Sequence, residues 1–213
     1  ANGNTEALNY RGNTHGSVAL VNGKWYVFYH RQTNRHFFSR QACAEEVYFD
    51  GERFHQAEIT SCGLNGGPLP GTGTYEARIA CNLSGKNGIC KSDEAQKVDK
   101  NNDLPYFTQS GEDRETDGDQ YIANLKDGAW CGFKYFAFDG ASQDLTVTIR
   151  GTGRGKLLVF TDRTKPPATQ IDVIPAEGWT TFSGPLSVPA GTWPLYFVYT
   201  GEGAIDFLSF ELR

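Results

Sequence analysis

Short alternating segments separated by turn residues constrain this chain more than any other feature. Asn-Gly and Asp-Gly dipeptides accept the positive φ that a type I′ turn requires, so each predicts a β-hairpin. The predicted strands of the first half are Ser17–Val21 and Lys24–Tyr29 around Asn22-Gly23, Glu45–Phe49 and Arg53–Ile59 around Asp50-Gly51, and then Tyr75–Leu83.

The second half repeats this pattern from Leu104 onward. Seven segments separated by Gly, Pro and Asp alternate with the period of a strand: "GFKYFAF", "DLTVTIR", "KLLVF", "TQIDVI", "WTTF", "PLYFVY" and "IDFLSFEL". Strands at this spacing predict a β-sandwich, and the 25 glycines suit many tight turns. Residues 84–103 are polar, charged and without period, which indicates a linker. We therefore predict an all-β fold.

Charge and cysteine spacing exclude several classes of function. A net charge of -5 and a pI of 5.4 argue against nucleic acid and anionic membranes as partners. No apolar run approaches the length of a membrane span. The five cysteines form no CxxC motif, so neither a zinc site nor a redox motif is indicated. Buried thiols are expected, and a local Cys81–Cys90 disulfide is conceivable if the chain is exported.

The two halves differ in how much core they can enclose. The strands of the second half suffice for a sandwich. The five or so strands of the first half, with the aromatic segment "WYVFYH", would leave apolar surface and a sheet edge exposed. The first half is therefore expected to need a neighbour.

Two families resemble this chain over nearly its whole length. "NTHGSVALVNGKWYVFYHRQ" and "FSRQACAEEVYFDGERFHQAEITSCGL" resemble the last part of a glycoside hydrolase family 43 catalytic domain, a five-bladed β-propeller. "QYIANLKDGAWCGFKYFAF", "GWTTF" and "IDFLSFEL" resemble a family 6 carbohydrate-binding module, a jelly-roll-like β-sandwich. The resemblance implies three parts: closing propeller strands in 1–83, the linker 84–103, and the module in 104–213.

The resemblance to family 43 implies an inverting hydrolase whose three acidic residues lie in earlier blades. The segments that supply them are missing from this sequence, so we expect no catalysis by this chain alone. His15 matches a histidine of the active-site floor that is associated with a bound calcium or its waters; a hydrogen-bonded structural role is the alternative. Glu45, Glu46 and Glu58 are expected to be solvated acids on strand faces. His30 and Arg31 are expected to pack and to form ion pairs at the end of their strand, and Arg31 could also face an acidic pocket.

The resemblance to family 6 implies a cleft in which two aromatic rings enclose a sugar. Tyr121 and Trp179 match these positions, although Tyr121 also fits a core position. Trp130 is a third candidate, and Trp193 is expected to pack in the core. Ala204 stands where many modules carry an asparagine, so the usual cleft is weakened, altered or unused, and a second site on the sandwich face stays open.

The same resemblance implies a structural calcium ion. Gln109 and Asp206 match the ligand positions, with Glu112 or Asp113 as further ligands. Oxygen donors of this kind suit calcium, which takes six to eight of them.

Three functions follow as hypotheses. The first is a non-catalytic fragment that binds a plant polysaccharide of the arabinoxylan or xylan type. The second is part of an arabinofuranosidase or xylosidase, active when assembled with its own N-terminal portion. The third is a structural support of the propeller, which would leave Tyr121 and Trp179 buried. Export is expected because polymeric plant sugars lie outside cells.

Overall fold

The computed structural model describes residues 15–35, 39–89, 103–111 and 118–213. Within these ranges the chain forms three sheets and two short 3-10 turns, Gly63–Asn65 and Ala77–Ile79. The strands are β1 (Gly16–Val21), β2 (Lys24–Gln32), β3 (Arg40–Glu46), β4 (Leu69–Pro70), β5 (Gly73–Glu76), β6 (Asn82–Ser84), β7 (Tyr106–Gln109), β8 (Gln120–Leu125), β9 (Trp130–Phe138), β10 (Ser142–Gly151), β11 (Arg154–Phe160), β12 (Thr169–Val173), β13 (Ala176–Ser187), β14 (Gly191–Glu202) and β15 (Ile205–Leu212).

The first predicted hairpin is confirmed. β1 pairs antiparallel with β2 from Gly16 opposite Tyr29 to Val21 opposite Lys24. Asn22 and Gly23 have φ of 49° and 79°, the two positive values that a type I′ turn needs. β3 adds to the other side of β2, which gives a three-stranded sheet in the order β1-β2-β3.

The second predicted hairpin keeps its turn but not its strands. Asp50 accepts the backbone N–H groups of Glu52 and Arg53, and Gly51 has a φ of 101°. Only one bridge follows, between Phe49 and Phe54. The strand that was placed at Glu45–Phe49 lies earlier, as β3, because its ladder partner is β2 rather than the segment after the turn.

Two six-stranded sheets form the sandwich. One has the order β13-β10-β15-β8-β7, with β5 added beside β15; the other has the order β12-β11-β14-β9-β4, with β6 added beside β9. Alternate residues of both sheets point inward, and the core contains Phe133, Phe136, Phe197, Phe207 and Phe210, each at most 1% exposed. Trp193 packs against this core, as predicted. The all-β sandwich preceded by antiparallel hairpin strands is confirmed.

Strands that precede the predicted linker pair with strands that follow it. The single strand predicted over Tyr75–Leu83 is wrong: β5 pairs with β15, a 3-10 turn follows, and β6 pairs with β9 of the opposite sheet. The turn carries the chain from one sheet to the other, with Ala77 and Ala80 fully buried. The predicted boundary at residue 83 stays a prediction, but strands on both sides of it build the same two sheets.

Arg31 joins the three-stranded sheet to the sandwich. It is 9% exposed, donates to the carbonyl oxygens of Arg78 and Ala80 and to Gln41 Oε1, and lies 3.6 Å above the ring centroid of Phe107. The expected packing of Arg31 is confirmed, whereas the expected ion pair and acidic pocket are wrong, because backbone carbonyls take the place of carboxylates.

No helix in the described ranges is long and apolar enough to cross a membrane.

Candidate functional site

Three side chains from one sheet of the sandwich meet on its surface. The rings of Tyr121 on β8 and Trp179 on β13 have centroids 5.2 Å apart and are inclined by 73°. The guanidinium of Arg150, on β10, lies 4.2 Å from the Trp179 ring and 4.8 Å from the Tyr121 ring. Sequence reasoning proposed the two rings and missed the arginine between them.

An irregularity in the ladder creates this arrangement. Ile149 pairs with Thr180 and Gly151 pairs with Ala176, so a single β10 residue, Arg150, faces three residues of β13. Two of these three are Glu177 and Trp179. Bulges of this kind re-aim side chains and are frequent beside functional sites.

Hydrogen bonds fix each member of the cluster. Arg150 Nε donates to Asp206 Oδ2 at 3.2 Å and its Nη2 donates to the Tyr121 hydroxyl at 2.9 Å. Asp206 Oδ1 accepts the backbone N–H of Asn124, and Trp179 Nε1 donates to Asp119 Oδ2. Burial, and then the nearby Asp206 carboxylate, raise the pKa of Tyr121, which therefore stays protonated at neutral pH.

An open cleft of about 720 Å³ adjoins the cluster. Its walls are Arg150, Gly151, Thr152, Pro175, Ala176, Glu177, Ala204 and Asp206. Ala204 thus lies in the cleft, where its methyl group offers no hydrogen bond to a ligand.

The geometry leaves no room for a sugar between the two rings. Two rings in edge contact at 5.2 Å are already at van der Waals separation. Tyr121 is only 9% exposed, whereas Trp179 is partly exposed. The predicted sandwich of a sugar by both rings therefore does not match this arrangement, in which Trp179 alone presents a ring to solvent.

Trp130 is covered. It is 8% exposed, contacts Tyr196 edge-on, and carries the guanidinium of Arg163 at 3.9 Å from its ring centroid. Trp179 also carries a guanidinium, but it stays partly exposed, whereas Trp130 is buried. The place of Trp130 as a third sugar contact therefore has no support from the geometry.

The predicted calcium ligands Gln109 and Asp206 lie on different strands, β7 and β15, and the calcium site stays a prediction. Gln109 pairs with Gln120 on β8, whereas Asp206 binds the backbone of Asn124, four residues further along the same strand. Glu112 and Asp113 lie outside the described residues. Among the residues described, no three His, Cys, Asp or Glu side chains are grouped as metal ligands would be.

His15 lies at the start of β1 and contacts His30 across the hairpin, with ring centroids 5.9 Å apart. It is exposed and lines a cavity of about 390 Å³ with Val18, Val27 and Tyr29. Burial, followed by the charge of Arg40, lowers the pKa of His30. The role of His15 as active-site floor stays a prediction. Cys90 lies outside the described residues, so its pairing with Cys81 stays a prediction.

The carboxylates of the first half are engaged rather than free. Glu45 is 4% exposed and accepts Thr60 N, Thr60 Oγ1 and the Tyr29 hydroxyl, so its prediction as a solvated acid is wrong. Burial raises its pKa. Glu58 accepts Lys134 and Tyr135, and Glu46 pairs with Lys24. All three line one cavity of about 230 Å³ at the junction with the sandwich.

One relative and several solved structures are similar to this chain. A xylosidase/arabinosidase of Thermoclostridium stercorarium is 42% identical over 95% of the chain, which corresponds to 42% of that protein. The chain therefore spans less than half the length of this curated relative. No family model matches the chain.

The structural neighbours support the fold. A glycoside hydrolase family 43 arabinoxylan arabinofuranohydrolase of Bacillus subtilis matches 95% of the chain and 41% of its own, with a TM-score of 0.60 and 17% identity. A β-1,3-glucan-binding family 6 module of Bacillus halodurans matches 69% of the chain and 99% of its own, with a TM-score of 0.52 and 17% identity.

A family 6 module of Clostridium stercorarium in complex with cellobiose matches 70% of the chain and 98% of its own, with a TM-score of 0.51 and 14% identity. The modules cover more of the chain than residues 104–213, as expected if β4–β6 belong to the sandwich. The resemblance to the C-terminal part of a family 43 enzyme followed by a family 6-like module is confirmed.

Proposed function

We propose that this chain is a non-catalytic, carbohydrate-binding fragment of a glycoside hydrolase, and that it binds plant polysaccharides of the arabinoxylan or xylan type. The observation that carries the proposal is the partly exposed Trp179 ring beside an open cleft whose lining includes Arg150 and Glu177. Sugars present flat C–H faces ringed by hydroxyls, which an aromatic ring and neighbouring polar groups recognise together. The ligands held by the neighbours, cellotetraose and cellobiose, are sugars of this kind.

Affinity electrophoresis on arabinoxylan, xylan and cellulose tests the proposal. We expect retardation of the chain on at least one of these, and a loss of affinity of at least about tenfold in Trp179→Ala, because the stacking surface is removed. Tyr48→Ala is the matched control, since Tyr48 is an aromatic ring far from the cleft in sequence and is 69% exposed. Migration unaffected by any of these polysaccharides would refute the proposal.

A second candidate is that the chain completes an arabinofuranosidase or xylosidase by assembling with its N-terminal portion. β1 supports this proposal, because it has a strand on one side only among the described residues and exposes Val18 and Leu20. Hydrolysis of aryl-arabinofuranosides or aryl-xylosides should be absent from the chain alone and should appear with a companion fragment, which mass spectrometry would detect. Turnover by the pure chain would contradict both candidates. Secretion of the protein is part of the same proposal.

The third hypothesis, that the sandwich only supports the propeller, predicts that the rings of Tyr121 and Trp179 are both buried. Tyr121 is buried and Trp179 is not, so this third function has weaker support than binding.

A further inference from the structure

Some polar groups of the cleft residues have hydrogen-bond partners and others have none among the described residues. Arg150 donates from Nε to Asp206 and from Nη2 to Tyr121, while its Nη1 group donates to none of the described residues. The Glu177 carboxylate is exposed and likewise makes no hydrogen bond within the described part of the chain. Both side chains line the cleft. A donor group and an acceptor group without partners among the described residues therefore belong to two residues that line the same cleft.

The ladder irregularity brings this pair to the Trp179 ring. Glu177 lies two residues before Trp179 on β13, and both belong to the three residues that face Arg150 on β10. Arg150 in turn lies over the Trp179 ring at 4.2 Å. Arg150 thus covers part of the Trp179 ring, and a ligand that contacts the exposed remainder would have the Arg150 guanidinium and the Glu177 carboxylate beside it.

The charges around the cleft disfavour an anion. Asp206 and Glu177 line it, Asp119 binds Trp179 Nε1, and Arg150 is the cation among them. The Arg150 charge is already neutralised by Asp206 in an ion pair of 3.2 Å. A sugar carboxylate would therefore meet the unpaired charge of Glu177, whereas a pair of neutral hydroxyls can donate to Glu177 and accept from Arg150.

We propose that Arg150 and Glu177 are the donor and the acceptor that select an uncharged sugar residue in this cleft and exclude uronic acids. This inference rests on the proposed binding function and adds the class of ligand. Glu177 is the residue to test, because its exposure and lack of partners allow substitution without unfolding. Arg150 is unsuitable on its own, since its removal leaves Asp206 and Tyr121 without their partner.

Calorimetric titration of the full chain with two probes tests the inference. The probes are xylohexaose and a xylo-oligosaccharide of the same backbone length that carries one glucuronic acid. Glu177→Ala should weaken xylohexaose binding about tenfold, since it removes a charged acceptor. Glu177→Gln should stay within about threefold for xylohexaose and should bind the acidic probe at least about threefold more tightly than the wild type does.

Asp172→Ala is the matched control. Asp172 lies on β12 in the opposite sheet with an 83% exposed side chain, so the variant makes the same change in net charge away from the cleft. It should bind both probes as the wild type does. Wild-type affinity in Glu177→Ala together with lost binding in Trp179→Ala would overturn the inference and leave the binding function intact. Tighter binding of the acidic probe by the wild type would overturn it as well, and a wild type that binds neither xylohexaose nor polysaccharide would refute the binding function itself.

Discussion

Single residues decide how the first half is attached to the sandwich, and Arg31 is the clearest case. Its guanidinium satisfies the carbonyl oxygens of Arg78 and Ala80 at a site from which water is excluded. Arg31→Met should lower the free energy of unfolding by about 3 kcal/mol, because buried acceptors lose their donor. Urea denaturation followed by tryptophan fluorescence measures this.

The control for Arg31 is Arg53→Met. Arg53 is 77% exposed at its side chain and pairs with Asp50 three residues away, so its loss should change stability by no more than about 0.5 kcal/mol. Equal effects of the two substitutions would show that Arg31 does not hold the junction.

Glu45 makes the stability of the chain depend on pH in a direction that is unusual for a carboxyl group. Burial raises its pKa above the ordinary 4.5 despite three hydrogen-bond donors. The folded state therefore binds a proton more tightly than the unfolded state does, so this contribution to stability is present at low pH and is lost as pH rises through the raised pKa.

Glu45→Gln should remove this dependence. The urea midpoint of the wild type should fall relative to that of Glu45→Gln as pH rises from about 4.5 toward neutrality. Glu46→Gln, on the adjacent exposed position, should follow the wild type. Parallel curves for the wild type and Glu45→Gln would contradict the prediction.

Among the elements, those whose signal is local could be predicted from the sequence. The β1–β2 hairpin followed from Asn22-Gly23, and the strands of the second half followed from alternation and turn residues. The membership of β5 and β6 in opposite sheets could not be predicted, because their partners lie more than forty residues away. Tyr121 and Trp179 could be named as candidate aromatic residues from the family resemblance. Their contact with each other could not be predicted, because it depends on Arg150 and on an irregularity in the pairing of β10 with β13.

The strands β5 and β6 should be necessary for the sandwich to fold. Tyr75 on β5 packs on Phe136 and Phe210 with ring centroids 5.0 and 5.5 Å away, and Leu83 on β6 is 4% exposed. A fragment of residues 104–213 lacks both strands and opens two sheet edges. It should aggregate or unfold without cooperativity, whereas a fragment of residues 60–213 should show one sharp transition in thermal unfolding. A cooperative transition of the shorter fragment at the same temperature would refute this role of the two strands.

At the scale of the whole molecule, the first and last strands of the described structure differ in how well their apolar side chains are covered. The sandwich closes over a continuous core with Leu212 at 1% exposure, whereas β1 has a strand on one side only within the described ranges. Val18 is 43% and Leu20 is 57% exposed on this strand. An open, apolar edge of this kind pairs with another chain unless something covers it.

The isolated chain should therefore associate with itself through β1. Sedimentation velocity should show a species that grows with protein concentration, and Leu20→Lys should return the chain to a monomer, because a charged edge residue opposes strand pairing. Since Leu20 is largely exposed, the melting temperature should not change.

Ile174→Lys, at a 56% exposed position after β12 of the sandwich, is the matched control and should associate as the wild type does. A wild-type chain that stays monomeric at every concentration would mean that β1 is a stable free edge, and association that survives Leu20→Lys would place the contact elsewhere.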